Sequence, residues 1–229
     1  MPYSFSIRSA WSLAFQTYKA NWKKLTLIFI TIIIPPYALL LVLSAFLPWQ
    51  KINEALVLLF AYFWFTGSTY IGIRFAENNT FYFREFGVFL PKLPKLIIGH
   101  LLAYGIMAGM IIAALTFTFA ILLLLGLDNS TTGFVCLAIT GLIAIIWAMR
   151  FQLVSYFILA KEMNPLTAIK VCHRAGRGQT FKIAFFLALC SALESLGVSL
   201  IFVGFLFTGP LAALFFAYGC REMTNAMSG

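Results

Sequence analysis

The stretch from Phe181 to Met223 reads FKIAFFLALCSALESLGVSLIFVGFLFTGPLAALFFAYGCREM. Across these 43 residues Glu194 is the only acid before Glu222. A membrane-spanning helix needs about 20 mainly apolar residues. The stretch is too long for one crossing and fits two. The break is expected near Gly204 or at Thr208-Gly209-Pro210, because proline has no backbone donor and disrupts the preceding turn. The chief alternative is one crossing followed by a re-entrant piece.

Moving outward, the same signal recurs four times. Leu25–Leu47 is apolar but broken by Pro35-Pro36, Ala55–Ile73 follows, and Ile97–Leu125 and Gly133–Ala160 complete the set. Ile97–Leu125 is longer than a crossing needs, so it must tilt or project. The expected fold is all-α: a polytopic bundle of about six spans, at 25–47, 55–73, 97–125, 133–160, 181–203 and 205–223. These make a single integral membrane domain over residues 1–229. Composition agrees. Of 229 residues 62% are hydrophobic and 10% charged, and the mean hydropathy is +0.96. Soluble domains carry about 25% charged residues, so this chain has too few charges to cover a water-soluble surface. Its abundance of large apolar residues excludes a disordered chain, and four cysteines are too few for a disulfide scaffold.

Charge sets the orientation. Arg8, Lys19, Lys23 and Lys24 precede the first span; Arg74, Arg84, Lys92 and Lys95 lie between the second and third. Lys161, Lys170, Arg174, Arg177 and Lys182 lie between the fourth and fifth, and Arg221 lies at the end of the last. The opposite side has Lys51, beside Glu54 and Asp128. Cytoplasmic loops collect Lys and Arg, so both termini are expected in the cytoplasm. The net charge of +9 is then a topology signal rather than a mark of nucleic-acid binding. The first apolar run, about 23 residues, exceeds the 7–15 of a signal-peptide core and is read as a retained span.

Two segments outside the spans carry pattern. Residues 1–22 are expected to form an amphipathic helix with the stripe Ile7, Trp11, Phe15, Tyr18 and Trp22, spaced 4, 4, 3 and 4. Trp11 and Trp22 suit headgroup level, and Lys19, Lys23 and Lys24 suit anionic lipid. The loop Phe81–Phe86 reads as an interfacial elbow. In the third loop Asn164 is a good N-cap, Pro165 suits the first helical position, and Gly176 or Gly178 can end the helix. The cytoplasmic helix 165–175 places Leu166, Ile169 and His173 on one face and Lys170 and Arg174, with Arg177 beyond, on the next. This basic stripe suits lipid phosphates or an acidic partner.

Several of these segments together resemble a known group. The aromatic N-terminal helix runs straight into a span. Arg150 in the fourth span is followed by Ile158-Leu159-Ala160-Lys161-Glu162-Met163-Asn164-Pro165-Leu166-Thr167-Ala168-Ile169. The end has Thr208-Gly209-Pro210 and then Tyr218-Gly219-Cys220-Arg221-Glu222. The chain resembles the bacterial six-pass proteins related to the membrane domain of glycerophosphoryl diester phosphodiesterases and to YciC-like proteins. Gly219-Cys220, between Tyr218 and the basic-acidic pair, departs from that pattern. The resemblance implies a six-pass fold in a bacterial inner membrane; the catalytic barrel of some relatives is not expected, because 229 residues are too few to hold one beside six spans.

Arg150 and Glu194 lie inside expected spans. A charge at mid-membrane costs about 2.5–3.5 kcal/mol on insertion scales, and such residues normally face the bundle interior and find a partner. Arg150 lies about 15 Å and Glu194 about 18 Å from the cytoplasmic side at 1.5 Å per residue. They are expected either to pair or to line a polar cavity. Small-residue rows occur at Gly105, Gly109 and Ala113, at Thr140, Ala144 and Ala148, and at Gly209, Ala213 and Ala217. Packing within the chain is favoured for them over a dimer face.

Catalytic signatures are missing. No GxSxG, HExxH, P-loop or GxGxxG occurs, and no cysteine pair has metal-ligand spacing. No catalytic residue, metal or cofactor is expected. The leading expectation is a non-enzymatic structural or assembly factor of the membrane. Its partners would be the lipid bilayer, anionic headgroups, and a membrane-protein partner or a second copy as a homo-oligomer, with no nucleic acid. The alternative is a small-solute or lipid transporter with a polar site at Arg150 and Glu194.

Overall fold

The computed structural model describes residues 5–46, 50–127, 131–199 and 203–228. Every regular element among them is helical. They are α1 (Ile7–Phe46), α2 (Gln50–Asn78), α3 (Phe86–Phe89), α4 (Leu93–Leu124), α5 (Thr131–Ala148), α6 (Val154–Lys161), α7 (Pro165–Ala175), α8 (Thr180–Ser199) and α9 (Val203–Ser228). Short 3₁₀ turns at Phe83–Glu85, Leu90–Lys92 and Met149–Leu153 join some of them. Leu47, Asp128 and residues 200–202, near the end of the expected fifth span, lie outside the described residues.

Three helical stretches among the described residues are long and apolar enough to cross a membrane: Phe83–Leu124, Thr131–Lys161 and Thr180–Gly197. Large apolar side chains point outward along them. Phe117 is 69% exposed and Leu124 87%. Water would not tolerate so large a contiguous apolar surface, whereas lipid matches it.

The structure departs from three expectations. The N-terminal helix begins at Ile7 and continues without interruption to Phe46, through Pro35-Pro36. The last helix begins at Val203, beside Gly204, one of the two expected breaks, and runs without interruption through the other, Thr208-Gly209-Pro210. The expected fourth span is interrupted, with α5 giving way to a 3₁₀ segment and then to α6.

The chain divides into two compact units, Tyr3–Pro91 with Ala188–Gly229, and Lys92–Leu187 with Met1–Pro2. In the first, the terminal unit, α9 packs against α1 and α2. The buried line of α1 is Ala10, Ala14, Leu25 and Phe29, while Trp11, Phe15 and Trp22 of the aromatic stripe stay exposed. Small residues let backbones approach. A Cβ on Gly72 of α2 would collide with the backbone of Ala213 in α9. The row Gly209, Ala213 and Ala217 is buried and is thus a packing face within the chain. Polar clasps reinforce it: Thr17 Oγ1 lies 2.7 Å from the Tyr218 hydroxyl, and Arg221 Nη1 donates to the Ala76 carbonyl at 2.8 Å. The expected elbow is a folded aromatic plug, in which Tyr70 stacks on Phe89 at 5.2 Å and Phe81 sits edge-on to Phe86 at 5.2 Å.

In the middle unit, Lys92–Leu187, α4 packs against α5, α6 and α7. Gly126 (φ +68°) turns the chain after α4, and Leu127 N–H bonds the Leu122 carbonyl at 2.9 Å, a Schellman closure that needs this left-handed residue. Gly99 admits Ile158, whose Cδ1 would stand 2.5 Å from an added Cβ. Gly105 and Gly109 face open space instead. That part of the small-residue row does not pack within the described chain, contrary to expectation.

Candidate functional site

The 3₁₀ segment Met149–Leu153 positions the site. In 3₁₀ geometry side chains three apart eclipse one another. Trp147, in the last turn of α5, and Arg150 are three apart, and the guanidinium carbon lies 3.3 Å from the Trp147 ring centroid. The Phe151 ring is 5.5 Å away on the next residue. Arg150 is only 2% exposed, and its Nε and Nη2 have no hydrogen-bond partner among the described residues. Stacking on an indole offsets about 2 kcal/mol or more of a desolvated cation. It supplies no acceptor.

Helix α7 closes over this segment. Asn164 caps it by accepting from Leu166 N–H at 3.4 Å, Pro165 opens it, and its buried face is Ala168, Ile169 and Cys172. Burial pushes the Cys172 thiol well above its ordinary range, which suits an inert packing residue. The helix ends at Gly176, and this glycine is needed for space. An added Cβ would stand 2.5 Å from Arg150 Cδ and 3.3 Å from Nη1. Arg150 therefore runs along the carbonyl end of α7, where the helix dipole favours a cation.

On the outer side is a cleft of about 350 Å³ lined by Phe151, Ile169, Lys170, His173, Arg174 and Arg177. The sequence reading placed Lys170, Arg174 and Arg177 on one stripe. The structure brings them together with His173 and an apolar floor. His173 meets Trp147 edge-on at 5.8 Å. Its imidazole is held below the ordinary histidine range by burial first, then by the charges of Arg150 and Arg177. Acids are missing from the lining. Lys92–Leu187 contains two, Asp128 and Glu162. Glu162 is taken by Lys92, whose Nζ lies 2.7 Å from Oε1.

No family model, curated protein or solved structure matches the chain. The remaining expected residues are placed as follows. Trp11, Lys19, Trp22, Lys23 and Lys24 are all exposed on α1, with Lys23 Nζ 5.7 Å from the Trp22 ring centroid. Glu194 is half-buried on α8 and belongs to the terminal unit, whereas Arg150 belongs to the middle one. Ion pairs among the described residues include Arg74–Glu77, Arg74–Glu85 and Lys92–Glu162. No group of three metal-ligating side chains occurs among the described residues.

Sequence reasoning missed one buried pair. His100 Nδ1 lies 3.0 Å from the Leu96 carbonyl, and Nε2 lies 3.0 Å from Ser155 Oγ. A carbonyl only accepts, so Nδ1 carries the proton and Nε2 accepts from the serine. Both residues are at most 5% exposed, and neither lines the cleft, so the pair ties α4 to α6 rather than forming a reactive dyad. The two are 55 positions apart, and no local pattern signals the contact.

Proposed function

We propose that this chain is a six-crossing, non-enzymatic protein of a bacterial inner membrane, a member of the group it resembles, with both termini in the cytoplasm. Its role is structural or in assembly, exerted by holding anionic lipid at the cytoplasmic boundary. Each of the six expected spans falls largely within a helical stretch: 25–47 in α1, 55–73 in α2, 97–125 in α4, 133–160 in Thr131–Lys161, 181–203 in α8 and 205–223 in α9. The observation that carries the reading is the surplus of unneutralised cations at the cleft, next to helices that expose apolar side chains. Basic residues beside a membrane surface each contribute about 1 kcal/mol toward anionic lipid. The exposed Trp22–Lys23 and Lys24 cluster on α1 adds a second contact of the same chemistry.

The test is native mass spectrometry of the full-length protein after gentle detergent extraction. The wild type is expected to carry anionic lipid. Combined Lys170→Ala, Arg174→Ala and Arg177→Ala, with or without Lys19→Ala, Lys23→Ala and Lys24→Ala, should strip it. Equal lipid retention by all three proteins overturns the reading. A small solute lost on Arg150→Ala or Glu194→Ala overturns it in favour of a transporter.

A further inference from the structure

The reading above asks only for a charged surface, which any anionic lipid would satisfy. The cleft is more specific than that. We propose that it is a stoichiometric site for one phosphomonoester lipid headgroup, with Arg150 as the buried cation that sets the preference for a dianion. The inference rests on the lipid-contact reading and deepens it.

The argument starts from charge. Lys170, Arg174 and Arg177 line the cleft, and Arg150 lies behind it with its charge felt at His173 on the lining. No acid joins them, since the acid nearest in sequence is engaged by Lys92. Like charges gathered this closely repel, and one of them is 2% exposed with two guanidinium nitrogens unpartnered among the described residues. Such a buried charge is costly without a counter-ion. An anion entering the cleft relieves both costs.

Valence comes next. A phosphodiester headgroup carries one charge and buries its phosphorus between two esters. A phosphomonoester carries about 1.5 to 2 negative charges near pH 7 and presents three free oxygens. Two arginines on the lining, Arg174 and Arg177, offer planar donor forks suited to those oxygens. A volume of about 350 Å³ holds a phosphate and its first ester carbons. The lipid source follows from the floor. Phe151 and Ile169 are apolar, and Leu166 on α7 is 59% exposed. Those surfaces suit acyl chain and glycerol carbons, and they give a free phosphate nothing.

Arg150 is a positioning residue here. It does not line the cleft, and it acts through its field in a poorly solvated setting, where charges interact more strongly than in water. Gly176 holds it in place by leaving room for its Cδ.

The experiment is native mass spectrometry of the full-length protein in detergent, titrated separately with phosphatidic acid, phosphatidylglycerol and inorganic phosphate. The expected result is one phosphatidic acid per chain, retained at least about tenfold better than phosphatidylglycerol, as one extra charge-assisted contact gives. Lys170→Ala with Arg174→Ala, both exposed and harmless to the fold, should abolish retention. Arg150→Met should erase the headgroup preference while leaving weak anionic binding, and Arg150→Lys, which keeps the charge, should restore most of it. A wild type that holds both lipids equally overturns the site and leaves the general lipid reading standing. Inorganic phosphate competing at equal concentration overturns the lipid source. A wild type that holds no anionic lipid overturns both readings.

Discussion

Two arginines make the same first contact and have opposite surroundings. Arg74 in the terminal unit lies over the Tyr70 ring at 5.6 Å and is met by Glu85 at 3.1 Å and Glu77 at 3.6 Å. Arg150 in the middle unit lies over Trp147 at 3.3 Å, and what surrounds it in its own unit is cationic or apolar. Each ring provides a face for the guanidinium. The acids differ, and so does the role. Arg74 completes a closed network that fastens the 81–89 plug to α2; burial lowers its pKa, but Tyr70 first, and then Glu85 and Glu77, hold the guanidinium above its ordinary range. Arg150 lies behind a basic cleft whose lining carries no acid. The contrast extends to packing, because the terminal unit brings α2 and α9 into backbone contact at Gly72 while the middle unit leaves Gly105 and Gly109 open.

The largest expected effect tests the packing side. Gly72→Leu forces a side chain into the Ala213 backbone and should lower unfolding free energy by at least about 3 kcal/mol, or prevent folding outright. Gly105→Leu places the same side chain in open space and should change stability by less than about 0.5 kcal/mol. Denaturant titration in detergent compares the two. Equal losses would mean that the α4 glycines are packed by a second copy or a partner.

The next effect separates the arginines by sign. Arg74→Met leaves Glu85, with 15% of its side chain exposed, without its cation. The loss should be about 2 kcal/mol, below the 3–5 of a fully buried pair because Arg74 is 30% exposed. Arg150→Met removes a buried charge that has no ion-pair partner among the described residues. In lipid-free detergent it should be neutral or stabilising. The same unfolding titration reads both, and a loss at Arg150 equal to that at Arg74 would show that a protein acid neutralises it.

Much of this fold was legible because its signals are local. Apolar run lengths marked the helices, and Asn164-Pro165 with Gly176 marked both ends of α7, since caps depend on residues within a turn of one another. The basic stripe of the candidate site was legible for the same reason. Three things were not. The 3₁₀ segment at Met149–Leu153 has the composition of the helices around it, so hydropathy passes through it unchanged. The cleft needs α7 folded over that segment, a contact between residues about 20 positions apart that no periodicity encodes. The buried side of α1 was not read, because the strongest stripe on that helix is aromatic and was assigned to the headgroup level. The stripe stays mostly exposed while Ala10 and Ala14 pack, since small residues permit the closer approach.

A smaller effect distinguishes satisfied from unsatisfied polar groups within the middle unit itself. Ser155→Ala removes the donor to His100 Nε2 and leaves a buried acceptor unpaired, for a loss of about 1–2 kcal/mol. His100→Leu together with Ser155→Ala should recover part of that loss, because both partners then become apolar. Recovery would confirm that the pair only fastens α4 to α6. Full additivity of the two losses would assign the serine proton to its other neighbour, the Gln152 carbonyl, 3.4 Å from Oγ.

The smallest effect lies at His173, whose titration reports the cleft directly. Burial, then the charges of Arg150 and Arg177, hold its pKa below the unfolded value of 6.5. Between the folded and unfolded values the unfolded chain binds the extra proton. His173 therefore adds a stability that is complete above about pH 6.5 and lost as pH falls through that window. An anion in the cleft reverses the balance, because it favours the imidazolium that the arginines oppose. The His173 ring proton, followed by NMR against pH, should titrate below 6.5 in the lipid-free protein and move upward when phosphatidic acid is added. Arg150→Met should raise the lipid-free value by removing one of the two opposing charges. It should also shrink the upward shift on lipid binding, since the dianion is then held less tightly. A His173 titration indifferent to both lipid and Arg150 would separate the two halves of the contrast, leaving Arg150 as a stacked structural cation and the cleft as an ordinary solvated face.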